Sequence, residues 1–490
     1  MDKSTLSKYG WVVIVIIILT LLMGFASSFG LFVYNFALDA SKSITKPVPD
    51  NIIPIPIDDI EDNPLVFGIG KTKPEYVIAT FNEDFTEVAI TKNGANSDGL
   101  MMDFSEENPS PMTIYKESII SAVIQPLCVN LGDYAFYDCQ NLSDVLFNDN
   151  EHFLEFGDYA FFNCLSLTNI IVPESVNAMG SHCFHNCESI VDFVVPEGVT
   201  KLARHIFTNC ISLENITVHD DIVRIDSSAF YNCKSLKSFD TPEKLSSMGS
   251  YVFSYCTSLK EFVFPKVLTY VPLGIFYGCN ALEKAFLHEN ITKIETVAFH
   301  GCHNLYVCDI PNSVTSIEDY AFTSCEKLEV PTVPYGVTTL NRAVFLYCRN
   351  ITSFVIPDSV TRIEDGALHG TAITEIVIPE GVEYIGPSAF MSCLNLKTVT
   401  LPSTLKTIDA GAFCYCPVLD KITIPASVET LGDEIFYNCG TINEVTFLNP
   451  NLTIPPNTFA NNTYINSIRG YAGSTAEVFA NNNGYTFVAL

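Results

Sequence analysis

From Tyr134 onwards, apolar residues recur in a fixed order with a period close to 23 residues. The most visible part of this order is the tetrad Phe-x-x-Cys. One repeat, at Leu368, loses both residues and is one residue shorter, and Phe459 keeps the register without the Cys. The tetrads are Phe136/Cys139, Phe161/Cys164, Phe184/Cys187, Phe207/Cys210, Phe230/Cys233, Phe253/Cys256, Phe276/Cys279, Phe299/Cys302, Phe322/Cys325, Phe345/Cys348, Phe390/Cys393, Phe413/Cys416 and Phe436/Cys439. A period of this length predicts a solenoid of stacked coils.

Each repeat contains the parts of one coil. In the repeat that holds Phe413 and Cys416, a short strand ends at Pro402, because proline donates no ladder hydrogen bond. Leu405 and Ile408 then turn inward, and a tight helical or irregular turn carries the tetrad. No coil buries its apolar side alone, so neighbouring coils must stack. We predict a β-rich α/β solenoid of about 15 coils over residues 113–459.

The chain before the repeats changes character twice. Residues 11–36 form a stretch without a charge, long enough to cross a hydrocarbon core of roughly 30 Å. We expect a transmembrane signal anchor there, with residues 1–10 in the cytoplasm and the repeats outside the cell. The alternative is a cleaved signal peptide with small residues near its cut site at Ala26–Ser28, although the apolar run continues past them. Residues 37–64 are rich in proline and acidic residues, which predicts an extended linker.

Both ends of the solenoid are predicted to be closed by other elements. Within residues 65–112, alternation of apolar and polar side chains from Tyr76 to Thr91 predicts a β-hairpin in a small β module. Residues 460–490 are expected to form the C-terminal cap. There, the capping box that starts at Ser474 opens a short helix that Gly484 stops, and a last strand follows.

Composition restricts the partners of the chain. Acidic residues outnumber basic ones 55 to 26, giving a formal net charge of -29. Nucleic acid is excluded as a partner, because its phosphates need a clustered basic surface. Broad adsorption to anionic lipid is disfavoured for the same reason. The acidity is typical of a soluble, unaggregated surface.

Most of the 17 cysteines lie in the repeated Phe-x-x-Cys column. Stacked coils bring their Cα atoms near each other, but parallel side chains in one column point the same way and do not face each other. We therefore predict reduced, buried thiols, while an oxidising compartment leaves disulfides as the alternative.

The segment 181–187 packs two His and two Cys into a short stretch, which is also typical of a metal site. Cys183 and Cys187, however, fall on core positions of the repeat. His205 follows His182 one coil later, so two imidazoles are expected near each other. His300, Cys302 and His303 form a similar group with the same explanation from the repeat. We predict no metal, no cofactor and no catalytic residues, since the chain offers no nucleophile with a positioned base and no phosphate-binding glycine loop.

The repeat resembles the BspA-like subfamily of leucine-rich repeats, whose signature is close to L-x-x-[IV]-x-[IVL]-P-x-[SG]-V-x-x-I-x-x-x-A-F-x-x-C. The stretches 356–363, 378–386 and 321–325 carry it most clearly. The resemblance covers about two-thirds of the chain, and the pattern is disturbed at His219, Thr241, His288 and Leu368. It implies a cell-surface protein, often adhesive, that is not an enzyme.

One outward column of the strands is the candidate binding surface. We call it the outer strand column: Leu146, Ile171, Val194, Thr217, Asp240, Val263, Phe286, Asp309, Thr332, Val355, Val377, Thr400, Thr423 and Thr446. Strand alternation turns these side chains away from the interior, to the face that leucine-rich repeats offer to partners. The proposed partner-binding residues are Val263 and Phe286, flanked by Asp240 and Asp309, together with Val355. Alternatively, β-branched residues stand there only because they form strands well.

The sequence thus predicts a single-pass, cell-membrane protein whose repeats bind or adhere to a protein or glycan outside the cell. The rival interpretation is a structural envelope spacer without a specific ligand. A binding module should vary along the outer strand column, whereas a spacer should be uniformly polar there.

Overall fold

The computed structural model describes residues 65–148, 151–462 and 464–490. The described residues belong to one compact unit, Pro54–Leu490. Within this described part, no helix combines the length and the apolar character that a membrane crossing requires. The anchor expected at residues 11–36 and the linker at 37–64 lie outside the described residues and stay predictions.

A small antiparallel sheet precedes the coils. It consists of β1 (Val66–Gly68), β2 (Val77–Phe81) and β3 (Glu87–Lys92), with a 3₁₀ turn at Pro74–Tyr76. The β2–β3 pair confirms the predicted hairpin, while β1 was not predicted. β3 then pairs in parallel with the first strand of the solenoid, so the hairpin covers the open end of the main sheet.

The coils place short parallel strands along two sides of the stack, and we call these two rows the first and the second sheet, although each row is hydrogen-bonded as several smaller sheets. The first sheet contains the strand predicted for most repeats, whereas the coils of Asp240, Asp309, Thr332 and Val355 form no named strand there. Its strands are β4 (Ser121–Ile124), β6 (Asp144–Phe147), β8 (Asn169–Ile170), β10 (Asp192–Val194), β12 (Asn215–Thr217), β15 (Glu261–Val263), β17 (Lys284–Phe286), β22 (Glu375–Val377), β24 (Thr398–Thr400), β26 (Lys421–Ile424) and β28 (Thr441–Phe447). Strands one coil apart pair in register, for example Val263 with Phe286.

The second sheet was not predicted. It consists of two-residue strands, one per coil, and the second residue of each strand is an inward Ile, Leu, Val, Phe or Met. They are β5 (Asn130–Leu131), β7 (Glu155–Phe156), β9 (Ala178–Met179), β11 (Lys201–Leu202), β13 (Arg224–Ile225), β14 (Ser247–Met248), β16 (Tyr270–Val271), β18 (Lys293–Ile294), β19 (Ser316–Ile317), β20 (Thr339–Leu340), β21 (Arg362–Ile363), β23 (Tyr384–Ile385), β25 (Thr407–Ile408) and β27 (Thr430–Leu431).

The remaining side of each coil is a turn that hydrogen-bonds to the next coil. Phe136 N–H donates to the Ala160 carbonyl and Asp138 N–H to the Phe162 carbonyl, both at 2.7 Å. The backbone of Asp138 adopts the left-handed conformation, with φ 62°, which aspartate and asparagine tolerate better than most residues. The described coils from residue 115 to 462 contain no α-helix, so the α/β description is corrected to a β-solenoid. The stack has about 16 turns.

The interior is one continuous core in which each tetrad stacks on its neighbours. The rings of Phe230 and Phe253 lie 5.4 Å apart and within 3° of parallel. A first coil that the sequence did not predict precedes Tyr134: Met112, in the short helix α1 (Pro111–Ile114), takes the place of the phenylalanine. Its carbonyl accepts the Cys139 thiol at 3.5 Å, as a tetrad Phe carbonyl does elsewhere.

The C-terminal cap follows the prediction. After β29 (Tyr464–Gly470), α2 runs over Thr475–Asn483, with Ser474 accepting from Glu477 N–H as its N-cap and Gly484 ending it at φ 74°. β30 (Phe487–Ala489) then adds to the edge of β29 in parallel. Helix and strand together cover the last coil.

Candidate functional site

The outer strand column lies on the solvent side of the first sheet, as strand alternation predicts. Val355 is 78% exposed, Val377 64% and Val263 57%. The residues beside them point inward: Phe262 and Phe354 are buried. The column therefore turns one side chain of most coils toward water, and several of these side chains are branched and apolar.

Val263 and Phe286 form the centre of the predicted patch. They are directly paired across β15 and β17, and Phe286 is 41% exposed. Asp240 and Asp309 are exposed one coil to either side, and the paired strands carry Glu261 opposite Lys284. The result is an apolar pair rimmed by charges, which resembles the layout of an interface anchor.

A second apolar element extends this patch. Val330 lies two residues before Thr332, on the same outward side of its coil, and is 58% exposed. It precedes the coil of Val355, and Val377 follows that coil. Val330 was not among the predicted partner-binding residues, because only one outward position per coil was predicted. No strand forms at residues 330–332, so the exposure of Val330 does not follow from strand alternation.

The exposed part of the outer strand column ends before the C-terminal cap. Thr446 is buried, whereas the prediction made it exposed. Its register partner on β29 is Arg469, whose guanidinium reaches back to the Glu444 carboxylate at 3.4 Å. The long arginine side chain thereby covers the strand. Val194 is only half-exposed.

Every cysteine among the described residues is a free, buried thiol, as predicted. The thiols also have a function that the sequence did not reveal: Cys256 Sγ donates to the Phe230 carbonyl of the preceding coil at 3.2 Å. That carbonyl already accepts the Cys233 N–H. Each thiol of the Phe-x-x-Cys column therefore joins two coils, and burial raises the pKa of Cys256 well above the ordinary thiol value of 9.0.

The predicted His/Cys segment separates into two environments. Cys183 and Cys187 are fully buried, and Cys187 Sγ donates to the Phe161 carbonyl at 3.1 Å. The imidazoles point outward instead. His182 and His205 stack with ring centroids 4.5 Å apart, as their column predicts, and His185 joins them: ring nitrogens of all three residues lie within 4.8 Å of one another. We call these three residues the histidine cluster.

The group at His300, Cys302 and His303 is dispersed. His300 stacks on Tyr277 at 4.7 Å, Cys302 Sγ donates inward to the Phe276 carbonyl at 3.2 Å, and His303 faces Glu326 at 3.7 Å. These side chains meet no common ligand position, which agrees with the explanation from the repeat.

The repeat geometry agrees with a family model, the BspA type leucine rich repeat region, which matches residues 112–237, 223–352 and 338–466. These matches cover more than half of the chain, and they begin at the coil that Met112 opens. The chain belongs to the BspA-type leucine-rich-repeat family. The resemblance read from the tetrads is thereby confirmed, and the first coil is included in it.

Solved structures of bacterial leucine-rich-repeat proteins share the fold. A leucine-rich repeat protein from Bacteroides ovatus aligns with TM-score 0.61 and 20% identity, covering 85% of this chain and 98% of that one. A leucine rich cell surface protein from Faecalibacterium prausnitzii aligns with TM-score 0.36 and 23% identity, covering 88% and 100%. The search of curated proteins gave no match. The likeness to the Bacteroides ovatus protein establishes the fold alone.

Proposed function

We propose that this BspA-type protein is anchored in the cell membrane by residues 11–36 and uses the outer strand column to bind a protein or glycan outside the cell. The observation that carries the proposal is the row of exposed branched side chains along the outer strand column, with Val263 57%, Val377 64% and Val355 78% exposed. A solenoid sheet offers such a row as one extended surface.

The alternation of chemistry along that row supports recognition. Apolar Val263 and Phe286 follow Asp240 and precede Asp309, and threonine occupies most of the later coils. Strand propensity accounts for threonine and valine equally well. It accounts for the phenylalanine too, but not for the two aspartates, which are poor strand formers and lie outside the named strands. An apolar centre with a charged rim suits a partner that carries its own apolar group and polar edge.

The spacer interpretation fits the same column less well. A protein that serves only to hold distance gains nothing from valines in water, since exposed apolar patches promote association. A uniformly polar column would keep such a protein soluble. The strong negative charge of -29 limits non-specific adhesion. The apolar patch of Val263 and Phe286 is then the part of this face that favours association.

The anchor and the binding face are tested separately. Protease added to intact cells should remove the repeats while leaving cytoplasmic proteins whole, because the repeats are expected outside. Survival of the repeats until lysis would reverse the topology.

Binding is tested with the compact unit Pro54–Leu490 immobilised on a sensor surface. It is offered extracellular-matrix proteins, host-cell surfaces and glycan arrays. We expect saturable binding that the free unit competes away. Absence of saturable binding to any of these surfaces would favour the spacer.

A further inference from the structure

Four aromatic rings stack along the outside of the turns at the N-terminal end of the solenoid. Tyr134, Tyr159, His182 and His205 follow one another at one ring per coil, with centroid separations of 4.7, 4.6 and 4.5 Å. The spacing of the coils sets this distance. Two of the four members are imidazoles, and a further imidazole, His185, lies beside them.

The contact within the histidine cluster is between ring nitrogens. Nδ1 of His182 lies 3.0 Å from Nδ1 of His185. Two nitrogens at that separation, each about 2.05 Å from a zinc ion, subtend roughly 94° at the metal, an angle between those of octahedral and tetrahedral coordination. The same separation also suits an N–H···N hydrogen bond between two neutral rings.

The His205 ring is held in one tautomer by its neighbours. Thr208 Oγ1 donates its only proton to the Ser228 carbonyl at 2.7 Å. The hydroxyl must therefore accept from His205 Nδ1–H, which lies 3.1 Å away. Nε2 of His205 keeps its lone pair. A histidine that donates one ring N–H to a fixed acceptor and keeps the other nitrogen free is the usual form of a metal ligand.

The protonation state of the cluster is that of metal ligands. Burial lowers the pKa of His182 to about 4, with His205 and Arg204 adding to the effect and Asp158 opposing it. Burial also lowers the pKa of His185 to about 4, with repulsion from the other two rings second. Burial lowers the pKa of His205 as well, with Arg204 adding to the effect, so the neutral form that binds metals is favoured for each ring.

We propose that His182, His185 and His205 form a binding site for a borderline divalent transition metal of the zinc, nickel or copper class, with solvent completing the coordination. Three imidazole nitrogens favour these ions over Mg²⁺ and Ca²⁺, which prefer oxygen ligands. Because His205 belongs to the coil after that of His182 and His185, the ion ties two successive coils together. The proposal does not depend on the binding face of the first sheet.

The test titrates Zn²⁺ into the purified full-length chain in detergent, with Mg²⁺ in excess to occupy acidic surface sites. We expect one saturable site. His185→Asn or His205→Asn should weaken it by more than about 100-fold, and Thr208→Val, which removes the acceptor of His205 Nδ1–H, by roughly 10-fold. His300→Asn is the matched control, since His300 occupies the same repeat position as His185, and it should leave the affinity unchanged.

A second measurement identifies the ligand atoms. Co²⁺ in place of Zn²⁺ should give visible absorption without a sulfur charge-transfer band, because the thiols of Cys183 and Cys187 are buried. Melting of the two variants without metal shows whether they are folded. Zinc binding that survives in folded His185→Asn and His205→Asn, or a sulfur band with Co²⁺, overturns the proposal. So does an absence of saturable binding to the native chain, which would leave His182 and His185 as a hydrogen-bonded pair.

Discussion

Two columns of the solenoid recur once per coil and differ in what surrounds them. The buried column of Phe and Cys contacts its own equivalents above and below: Phe253 stacks on Phe230 at 5.4 Å and on Phe276 at 6.0 Å. The outer strand column meets water on one side and varies from valine to phenylalanine, aspartate and threonine. The uniform column therefore maintains the fold, and the variable one is available for recognition. The predictions below separate the two columns by size of effect.

The largest expected effect is alkaline destabilisation through the buried thiols. Each is neutral in the fold, and burial raises the pKa of Cys256 and of Cys325 well above the ordinary 9.0. Stability from these groups is complete below the pKa of the unfolded thiol and falls as the pH rises above it. Above that pH the unfolded chain loses thiol protons that the folded chain retains. The free energy of unfolding therefore falls by about 1.4 kcal/mol per pH unit for each thiol.

Melting temperatures at pH 7 and pH 10 measure this loss. Native chain should melt far lower at pH 10, and Cys256→Ala should show a slightly shallower dependence because it has one thiol fewer. Equal melting temperatures at both pH values would mean that the thiols are not neutral and buried.

The second largest effect is the difference in stability lost when a phenylalanine of each column is replaced by alanine. Phe253→Ala removes a fully buried ring from the interior stack and should cost about 3–5 kcal/mol. Phe286→Ala is the control from the outer strand column, 41% exposed, and should cost about 1 kcal/mol or less. Urea unfolding of both variants measures the difference. Similar midpoints for the two would remove the distinction between the columns.

A smaller effect is expected for one thiol of the column. Cys256→Ser buries a hydroxyl in place of the thiol and should destabilise the chain by roughly 1–3 kcal/mol. The Phe230 carbonyl, 3.2 Å from the native sulfur, offers the hydroxyl an acceptor and favours the lower end. Mass spectrometry after alkylation of the unfolded native chain should find the column thiols reduced. A ladder of disulfides between successive coils would contradict this part of the account.

The sequence predicted the parts of the fold that repeat with large side chains. Phe253 and Cys256 set the coil length, and the Ser474 to Gly484 signals gave the last helix. The second sheet was missed because strands such as Thr407–Ile408 have two residues, too few for a period. The first coil was missed because Met112 replaces the phenylalanine of the tetrad.

The exposure of surface side chains was also predicted only in part. Alternation exposed Val263 correctly, since it depends only on the backbone of β15, and Val355 is exposed as predicted although no strand forms at its coil. It failed at Thr446, where the Arg469 side chain from the next strand covers the position. The sequence predicted only part of the histidine cluster. His182 and His205 share a repeat column, whereas the approach of His185 depends on the orientation of its ring in the turn.

The most direct test of the central claim compares two double variants that differ only in where their valines lie. Val263→Thr/Val355→Thr removes apolar groups from the outer strand column and keeps a residue that this column already uses. Val267→Thr/Val478→Thr is the control: these valines are 55% and 56% exposed against 57% for Val263, but Val267 lies in a turn four residues later and Val478 lies in α2 of the cap. Attachment of each variant to the bound surface is measured beside its melting temperature. We expect both to melt like the native chain and only the column variant to lose attachment, by roughly 10-fold or more if each valine contributes about 1 kcal/mol. Unchanged attachment of a folded column variant, or equal loss in both, would contradict the assignment of binding to this face.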